Sequence, residues 1–394
     1  MATAASSHGH RLGARRDHPH LFESAYCSWR DQFVQRAGEE GVPAEWLDHF
    51  RNSVQPNPAV LKDSHAQPEM TLSAGTYIQK LVTEQRIRDG RQAATDHADR
   101  FQGIRDKFGI EAEILAAIWG IESNFGQLMG DYPVLESLAT LAFDGQRSNF
   151  WEHELIAALQ IAVSGAAAPD RLVGSWAGAM GHTQFMPSTY LSDSLKLSGQ
   201  GHADIWGDDP SDALASTANF LIRRGWQPEL PWGDGVRLPK AFDFSLSGRW
   251  NRFNAARWHD AGVQLCGQDD YSDWGLCALI LPEGHRGPGF LVTKNFDILL
   301  QYNASAAYAL AVGLLAKNIH EHEVVNFNWT QTAPLSQDCI RELQTLLVRR
   351  GFDTGGIDGI AGSATLRSVQ QWQLRRGEPP DGLPSHRILE SLRG

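Results

Sequence analysis

Glu122 is the residue with the clearest potential for chemistry, because it is a carboxylate at the end of an apolar stretch. Trp119, Ile118 and Leu115 precede it by three, four and seven residues, which is the spacing of one helix face. The pattern therefore predicts a carboxyl group in surroundings of low dielectric constant. Burial raises the pKa of a carboxyl group, and a protonated acid near neutral pH can donate a proton to a leaving oxygen.

The motif around this residue is weak by itself. A glutamate followed by S-x-x-G is more often a structural residue than a catalytic one, since many polar groups at helix ends have structural explanations. A catalytic role for Glu122 therefore depends on what other segments of the chain indicate.

The composition limits the classes of partner. The chain has 394 residues, enough for two or three domains, and 42% hydrophobic residues with 13 tryptophans indicate large cores. The formal net charge of −11 and the absence of a long Lys/Arg run argue against nucleic acid as the main partner. Aromatic residues suit a carbohydrate cleft, although core packing explains most of them equally well.

The N-terminal residues and the hydropathy pattern bear on location. No run of 18 apolar residues occurs, so we expect no membrane span. Residues 1–25 are expected to form a disordered tail, and their first 20 residues lack the apolar core of a signal peptide. Export by a segment outside this sequence and no export both remain open. The histidines of this tail, and His320 with His322, are expected to bind no metal.

The cysteine pattern excludes some metal and redox sites. The four cysteines are Cys27, Cys266, Cys277 and Cys339, and they form no C-x-x-C motif, which excludes a zinc or thioredoxin-like site. Cys266 and Cys277 enclose a short loop. They could form a disulfide in an oxidising compartment or remain two thiols.

Apolar periodicity predicts helices over most of the chain up to about residue 226. Two short helices are expected between residues 26 and 48, and a helix at 98–108 should end at Gly109. Another helix is predicted at 213–224, closed by Gly225.

The pattern changes between residues 231 and 296, where Pro, Gly and Trp are frequent. Residues 278–281 and 290–293 are predicted to pair as a β-hairpin. A helix follows at 303–318, and the polar stretch 321–334 reads as a linker.

Further motifs lie in four separated segments: E-S-N-F-G at 122–126, S-W-A-G-A-M-G-H-T-Q-F-M-P-S at 175–188, A-N-F-L-I-R-R-G-W at 218–226, and Y-N-A-S-A-A-Y at 302–308. In order and spacing these segments resemble the lytic murein transglycosylase B family. The resemblance covers residues 26–318. It implies a mainly α fold, with a lysozyme-like helical catalytic core at 26–320 that includes a small β-containing subdomain at about 231–296.

The C-terminal residues carry a second set of motifs. These are L-Q at 343–344, G-F at 351–352, I-D-G at 357–359, Gly362, Thr365, Gln373 and D-G at 381–382. They resemble the three-helix peptidoglycan-binding domain of many cell-wall enzymes. Residues 335–394 are therefore expected to form a small separate domain after the linker.

The resemblance implies that Glu122 is the single acid and base. A glycoside hydrolase usually needs two carboxyl groups. In a lytic transglycosylase, the attacking group is the C6 hydroxyl of the substrate's own N-acetylmuramic acid, so one carboxyl suffices. Glu122 would protonate the glycosidic oxygen to N-acetylglucosamine and then accept the C6 hydroxyl proton as the 1,6-anhydro ring closes, a step that benefits from proximity.

The resemblance also implies a set of substrate-binding residues. Ser175 matches the residue that hydrogen-bonds the catalytic carboxyl group, and Gln184 lies beside it. The Arg147 match is an arginine that meets the peptide carboxylates of the glycan. The full set is Ser175, Gln184, Tyr302, Asn303, Tyr308, Tyr77, Phe220 and Arg147.

Two positions depart from the family pattern. Phe220 stands where relatives have a cleft tyrosine, so a hydroxyl is missing while a stacking face is expected to remain. Lys196 and Gln200 stand at the acidic positions of a calcium-binding loop. Because calcium needs several oxygen ligands, we expect this loop to hold no metal, and we expect no cofactor.

Two other functions remain possible from the sequence. A hydrolytic muramidase would need a second carboxylate, and Asp131 and Glu136 are near Glu122 in sequence but match no catalytic position. A non-catalytic peptidoglycan-binding protein would have no need of the acid. The expected partner is the peptidoglycan glycan strand, bound by a monomer in the periplasm or at the cell wall.

Overall fold

The computed structural model describes residues 19–65, 72–145, 147–267, 270–321, 326–330 and 332–394. The chain divides into two compact units. The first contains residues 1–67 and 118–220, and the second contains residues 68–117 and 221–394. Most of the described residues are helical and the strands are short, which confirms the predicted mainly α fold class.

In chain order the elements are α1 (Pro19–Glu39), α2 (Ala44–Ser53), α3 (Pro58–His65), α4 (Ala74–Leu81), α5 (Glu84–Asp96), α6 (Ala98–Phe108), α7 (Ala112–Ser123), β1 (Tyr132–Pro133), α8 (Val134–Asp144), α9 (Ser148–Val163), β2 (Val173–Gly174), α10 (Pro187–Asp193), α11 (Ser211–Arg223), β3 (Gly233–Arg237), β4 (Phe253–Asn254), α12 (Ala255–Asp260), β5 (Gln264–Leu265), β6 (Leu276–Ile280), β7 (Gly289–Val292), α13 (Lys294–Tyr302), α14 (Ala306–His320), α15 (Gln337–Arg349), α16 (Ser363–Arg375) and α17 (His386–Arg393).

The first unit is a helical core in which α8 packs against α9, and α9 packs against α10. Helix α1 contributes an aromatic face, where the rings of Trp29 and Phe33 stack with their centroids 5.6 Å apart. The two predicted helices are present as α1 and α2, separated at residues 40–43, but α1 is longer than expected, at 21 residues. It begins at Pro19, so the end of the predicted tail is helical, and residues 1–18 lie outside the described residues.

The second unit contains a five-stranded antiparallel sheet with the strand order β4-β6-β7-β3-β5. Strands β6 and β7 pair Ala278 with Val292 and Ile280 with Phe290, which confirms the predicted hairpin. Cys266 and Cys277 are both free thiols, so the thiol alternative applies. Burial raises the pKa of the Cys277 thiol to about 11, since the interior disfavours the thiolate.

Helix α14 is the central helix of the second unit and packs against α4, α5 and α13. Arg91 of α5 donates a hydrogen bond of 2.7 Å to the carbonyl of Asn318 in α14. No single helix among the described residues is long and apolar enough to cross a membrane. Helices α13 and α14 together pass such a test of length and composition, but they are bent by 113° at their junction and α14 is mostly buried.

The C-terminal three-helix part (residues 335–394) has its own apolar core from α15, α16 and α17. Its two Asp-Gly turns are held in the same way. The buried amide of Gln344 donates to Asp358 at 2.8 Å and accepts from the Gly359 N–H at 2.9 Å. Gln373 donates to Asp381 at 2.7 Å and accepts from the Gly382 N–H at 2.8 Å. The glutamines and Asp-Gly pairs of the motif thus form the turns of this domain.

The C-terminal three-helix part is also hydrogen-bonded to the β-containing part of the second unit. The Asp381 carboxylate accepts from the backbone N–H of His285 at 3.0 Å and contacts its ring Nδ1 at 2.5 Å. Gln370 donates to the Ser247 carbonyl at 3.0 Å. Burial disfavours ionisation of Asp381, but its hydrogen bonds, those from His285 first, outweigh burial and lower its pKa. The C-terminal three-helix part is therefore held against the β-containing part by these hydrogen bonds, in addition to its connection through the predicted linker.

We predict that Asp381→Asn lowers the free energy of unfolding by about 1–3 kcal/mol at neutral pH, the cost of losing a buried charged acceptor. The folded pKa of Asp381 lies below its unfolded value of about 3.9, so its contribution is complete above about pH 5. It is lost as the pH falls through the lowered pKa. Urea unfolding of both proteins between pH 3 and pH 7 measures this difference.

The matched control is Asp338→Asn, which removes a carboxylate from the exposed face of α15. Its effect should stay within about 0.5 kcal/mol, as is usual for surface ion pairs. Equal stability losses in the two variants, or a difference that grows on acidification, would contradict the proposed role of Asp381.

Candidate active site

Glu122 is the penultimate residue of α7 and is partly buried. The predicted apolar face is present, because Leu115, Ile118 and Trp119 are all buried. The carboxyl group was expected in apolar surroundings, but it lies at the edge of that face, because α7 ends one residue later. The side chain is therefore within reach of both protein and solvent.

The chain turns sharply after α7. Asn124, Phe125 and Gly126 all have positive φ, at 50°, 58° and 84°. The Ser123 hydroxyl accepts from the Gly126 N–H at 2.9 Å and donates to the His182 carbonyl at 2.6 Å. A Cβ atom at Gly126 would lie 2.5 Å from the His182 ring, so only glycine fits. The serine and the glycine of the E-S-x-x-G motif thus make the contacts that hold the end of α7 in place.

His182 connects this helix end to the loop that follows β2. The Trp119 indole donates to His182 Nδ1 at 3.1 Å, and His182 Nε2 lies 2.7 Å from the Gly207 carbonyl. An indole N–H can only donate, so Nδ1 must accept and Nε2 must carry the hydrogen. The residue as a whole is 4% exposed. These contacts require the neutral imidazole in one tautomer.

The loop with Ser175 and Gln184 is held mostly by its own backbone. The Ser175 hydroxyl oxygen accepts from the N–H groups of Ala177 and Ala179 at 3.3 and 3.1 Å. Its own hydrogen remains available for donation. The Gln184 amide donates to the carbonyls of Met129 and Gly181 at 3.0 and 2.8 Å. Gln184 therefore holds two loops together near the end of α7.

The other two predicted residues of the first unit differ in exposure. Phe220 is 4% exposed and its ring lies 6.0 Å from that of Phe185. It was expected to present a stacking face, but it faces the interior side of α11 and packs in the core. Arg147 is exposed, and its guanidinium lies 4.5 Å from the centroid of Phe150.

The second unit brings the remaining predicted residues onto neighbouring elements. Tyr302 ends α13, and Tyr308 lies in the first turn of α14, with the two rings parallel and their centroids 6.5 Å apart. Tyr308 is 2% exposed, so of the three predicted residues in this segment Tyr302 and the exposed Asn303 are the ones that present surface. Tyr77 lies on α4, which packs against α14.

The loop predicted to hold no calcium is fastened by a lysine. The Lys196 ammonium lies 3.0 Å from Asp212 Oδ2, and the Asp212 carboxylate also accepts from the N–H groups of Leu197 and Asp204 at 2.9 Å each. Within the described ranges, no group of three or more His, Cys, Asp or Glu side chains could hold a metal ion. The positive charge beside the Asp212 carboxylate is thus that of the Lys196 side chain.

Comparison with known proteins decides the family. Residues 25–317 match the model of the transglycosylase SLT domain, and residues 336–392 match that of a putative peptidoglycan binding domain. The chain belongs to the SLT-domain lytic transglycosylases. It is 30% identical over 250 residues to the membrane-bound lytic murein transglycosylase B of Escherichia coli K12, a match that covers 62% of this chain and 66% of that protein.

Solved structures agree with this family. SltB3 from Pseudomonas aeruginosa, in complex with NAG-anhNAM-pentapeptide, has a TM-score of 0.85 and 41% identity, over 94% of this chain and 99% of that one. The Escherichia coli lytic transglycosylase Slt35, in complex with calcium, has a TM-score of 0.63 and 26% identity, over 74% and 92%. The predicted family, fold class and enzyme class are therefore confirmed.

His182 is the residue of this lytic transglycosylase that sequence reasoning missed. It stands inside the motif S-W-A-G-A-M-G-H-T-Q, where its imidazole carried no assigned role. The one signal in the sequence was Gly126, because a glycine at a fixed place in a motif can mark a close contact with another group. Only the folded chain shows that this group is the His182 ring.

We predict that His182→Phe lowers kcat roughly 10- to 100-fold with a smaller change in KM, because a helix end displaced by about 1 Å misplaces Glu122. His182→Gln should retain more activity, since its amide can both accept and donate. Steady-state kinetics on purified peptidoglycan provide the measurement. Replacement of the exposed His153 on α9 by Phe serves as the control, and equal losses at both positions would refute the positioning role.

We predict that calcium does not stabilise this lytic transglycosylase, because Lys196 already neutralises Asp212. Calcium normally takes six to eight oxygen ligands. Thermal unfolding in calcium, with magnesium as the control, should give the same melting temperature. A calcium-specific rise that disappears in Asp212→Asn would show that the loop binds the ion.

Proposed function

We propose that this enzyme cleaves the β-1,4 bond between N-acetylmuramic acid and N-acetylglucosamine and forms a 1,6-anhydro end, with Glu122 as acid and then base. The observation that supports this most directly is the fastened end of α7. Ser123 and His182 hold the helix terminus on both sides of a partly buried carboxyl group. A catalytic carboxyl needs this combination of a defined position and access to a ligand.

The proposed reaction uses the Glu122 carboxyl group twice, first as an acid and then as a base. The protonated carboxyl group donates to the glycosidic oxygen, the bond from C1 to that oxygen breaks, and N-acetylglucosamine leaves with a free hydroxyl. The C6 hydroxyl oxygen of N-acetylmuramic acid then bonds to C1, and the Glu122 carboxylate takes its proton. The carboxyl group is thereby restored, and no water is consumed.

Ser175 is proposed to position this carboxyl group. Its oxygen accepts two backbone N–H groups, which orients the remaining O–H. In the substrate complex this O–H would donate to the Glu122 carboxylate while the anion exists. A neutral hydroxyl donor of this kind stabilises the charged form but transfers no proton to the substrate.

The hydrolytic muramidase alternative has less support from the first unit. Glu136, one of two carboxylates near Glu122 in sequence, lies 3.5 Å from the Asn57 amide, and Asp131 is exposed. The buried Glu154 accepts from the backbone and hydroxyl of Ser188 at 2.9 and 2.7 Å. None of these contacts suggests a carboxylate prepared to activate water beside Glu122.

The proposed substrate is the glycan strand of peptidoglycan. The family match of residues 336–392 supports a second contact with the same polymer. Because that polymer lies outside the inner membrane, we propose a periplasmic or cell-wall location. Neither nucleic acid nor a second copy of the chain is part of the proposal.

We predict that Glu122→Gln keeps the melting temperature within a few degrees but lowers turnover by at least about 10²-fold, because the proton donor is lost. Ser175→Ala should lose much less, on the order of one hydrogen bond. Release of soluble muropeptides from sacculi measures both. Retention of more than about a tenth of the activity in Glu122→Gln would assign the acid to another residue.

The products distinguish transglycosylation from hydrolysis. Mass spectrometry of the digest should show muropeptides that end in 1,6-anhydro-N-acetylmuramic acid, each lighter by one water than a hydrolysis product. Reducing ends as the majority species would favour the muramidase alternative. Binding without any cleavage by the wild-type protein would favour a non-catalytic role.

A further inference from the structure

A small cavity lies between the C-terminal three-helix part and the β-containing part of the second unit. It has a volume of about 190 Å³, and its walls come from Ala74, residues 248–250, 280–282 and 306–307, Ser363, Leu366 and residues 381–383. We name it the Arg249 cavity. We propose that it binds the peptide stem of peptidoglycan, with Arg249 pairing a stem carboxylate. This rests on the proposed function insofar as peptidoglycan is the substrate.

The docking contacts described above hold the walls of the Arg249 cavity in place. Asp381, which lies in one wall, is bound by His285, and Gln370 is bound to the Ser247 carbonyl next to the 248–250 wall. A Cβ atom at Gly248 would lie 2.4 Å from the Trp250 indole, so the ring is folded over its own backbone. The cavity is therefore formed before any ligand binds, which reduces the entropy cost of binding.

The charge of the Arg249 cavity favours an anion. Arg249 lies 3.9 Å from Asp297, but that carboxylate is bound more closely by Arg252 at 2.6 Å. Two guanidinium groups thus share one carboxylate. Arg249 makes one hydrogen bond, to the Ser363 hydroxyl at 3.2 Å, and its side chain is 37% exposed. A guanidinium has five N–H donors, so a carboxylate can still be bound by two of them.

Asp381 is the other charged group in the walls, and it does not neutralise Arg249. Both of its oxygens accept hydrogen bonds, Oδ1 from Gln373 and the Leu383 N–H and Oδ2 from His285. Its side chain is 6% exposed. The Asp381 carboxylate is therefore occupied by His285, Gln373 and the Leu383 N–H. The charged group in the walls that a ligand can reach is the Arg249 guanidinium.

Size and wall chemistry favour a peptide over a sugar chain. Pockets for drug-sized ligands have volumes of about 300–1,000 Å³, and the Arg249 cavity is smaller. It suits one or two small amino-acid residues. Trp250, Leu281 and Leu383 provide apolar surface for their methyl groups. A stem peptide combines such small side chains with free carboxylates.

The position of the Arg249 cavity fits a stem attached to a bound glycan. Ala306 and Ala307 form one wall and lie three and four residues after Asn303. Three residues of extended chain span at most about 10–11 Å. A stem of three residues is therefore long enough to run from a sugar near Asn303 into the cavity.

The test compares two forms of the same strands, one with stems and one with stems removed by an amidase. Arg249→Gln in the full-length enzyme should weaken binding and kcat/KM on stem-bearing strands about tenfold or more, the usual effect of losing a charge-assisted hydrogen bond. Its activity on bare strands should be unchanged. Arg249→Lys, which keeps the charge, should recover part of the loss.

Arg257→Gln is the matched control, since it removes an exposed arginine of the same β-containing part that lies over Phe253. It should change neither substrate. The free stem peptide is also titrated into the wild-type enzyme and into Arg249→Gln. We expect it to bind the wild type without its glycan and to bind the variant more weakly.

Equal losses on both substrates, or the same loss in Arg257→Gln or Arg249→Lys, would overturn the proposed stem site. Failure of the proposed function would look different. In that case the wild-type enzyme would release no anhydro products from either kind of strand.

Discussion

The geometry at the end of α7 depends on the neutral imidazole of His182. Its ring accepts a hydrogen bond from Trp119, one turn before Glu122, and lies against the Gly207 carbonyl. Its main-chain carbonyl accepts from Ser123, the residue after Glu122. One residue thus holds the helix end through its side chain and its backbone. Because both ring nitrogens are engaged in a single tautomer and the ring is buried, the contact has one orientation.

This constraint explains why the local backbone is unusual. Non-glycine residues rarely adopt positive φ, yet Asn124 and Phe125 both do so directly after the helix. Gln184 has a φ of 53° on the opposite loop, where its amide bonds Met129. Backbone strain of this kind persists only where the surroundings over-determine it, and it is often concentrated at functional sites. Two of these residues closely follow the proposed acid in sequence, and the third lies on the loop that is hydrogen-bonded to the end of α7.

In the C-terminal three-helix part, one carboxylate likewise serves two contacts. Asp381 belongs to an Asp-Gly turn that Gln373 fastens internally, and the same carboxylate binds His285 outside the domain. The turn that shapes the domain is also the turn that docks it. For an enzyme that works on a polymer, this arrangement keeps a second binding part in a defined position against the β-containing part of the same unit. It also creates the Arg249 cavity.

Local features of the sequence predicted a large share of this protein. The apolar face before Glu122, the end of α6 at Gly109, the β6–β7 hairpin and the three C-terminal helices all follow from spacing between near neighbours. The motifs predicted the family, which the comparisons confirmed. Such features depend on interactions between residues a few positions apart, and periodicity records them directly.

Only the tertiary structure decided which distant groups meet. It placed Phe220 and Tyr308 in the interior, although both had been expected to line a cleft. It left Cys266 and Cys277 as free thiols, and it selected the tautomer of His182 by placing Trp119 beside it. It also docked a domain that the sequence predicted as merely tethered. These outcomes depend on which faces pack together, and residue spacing along one segment does not contain that information.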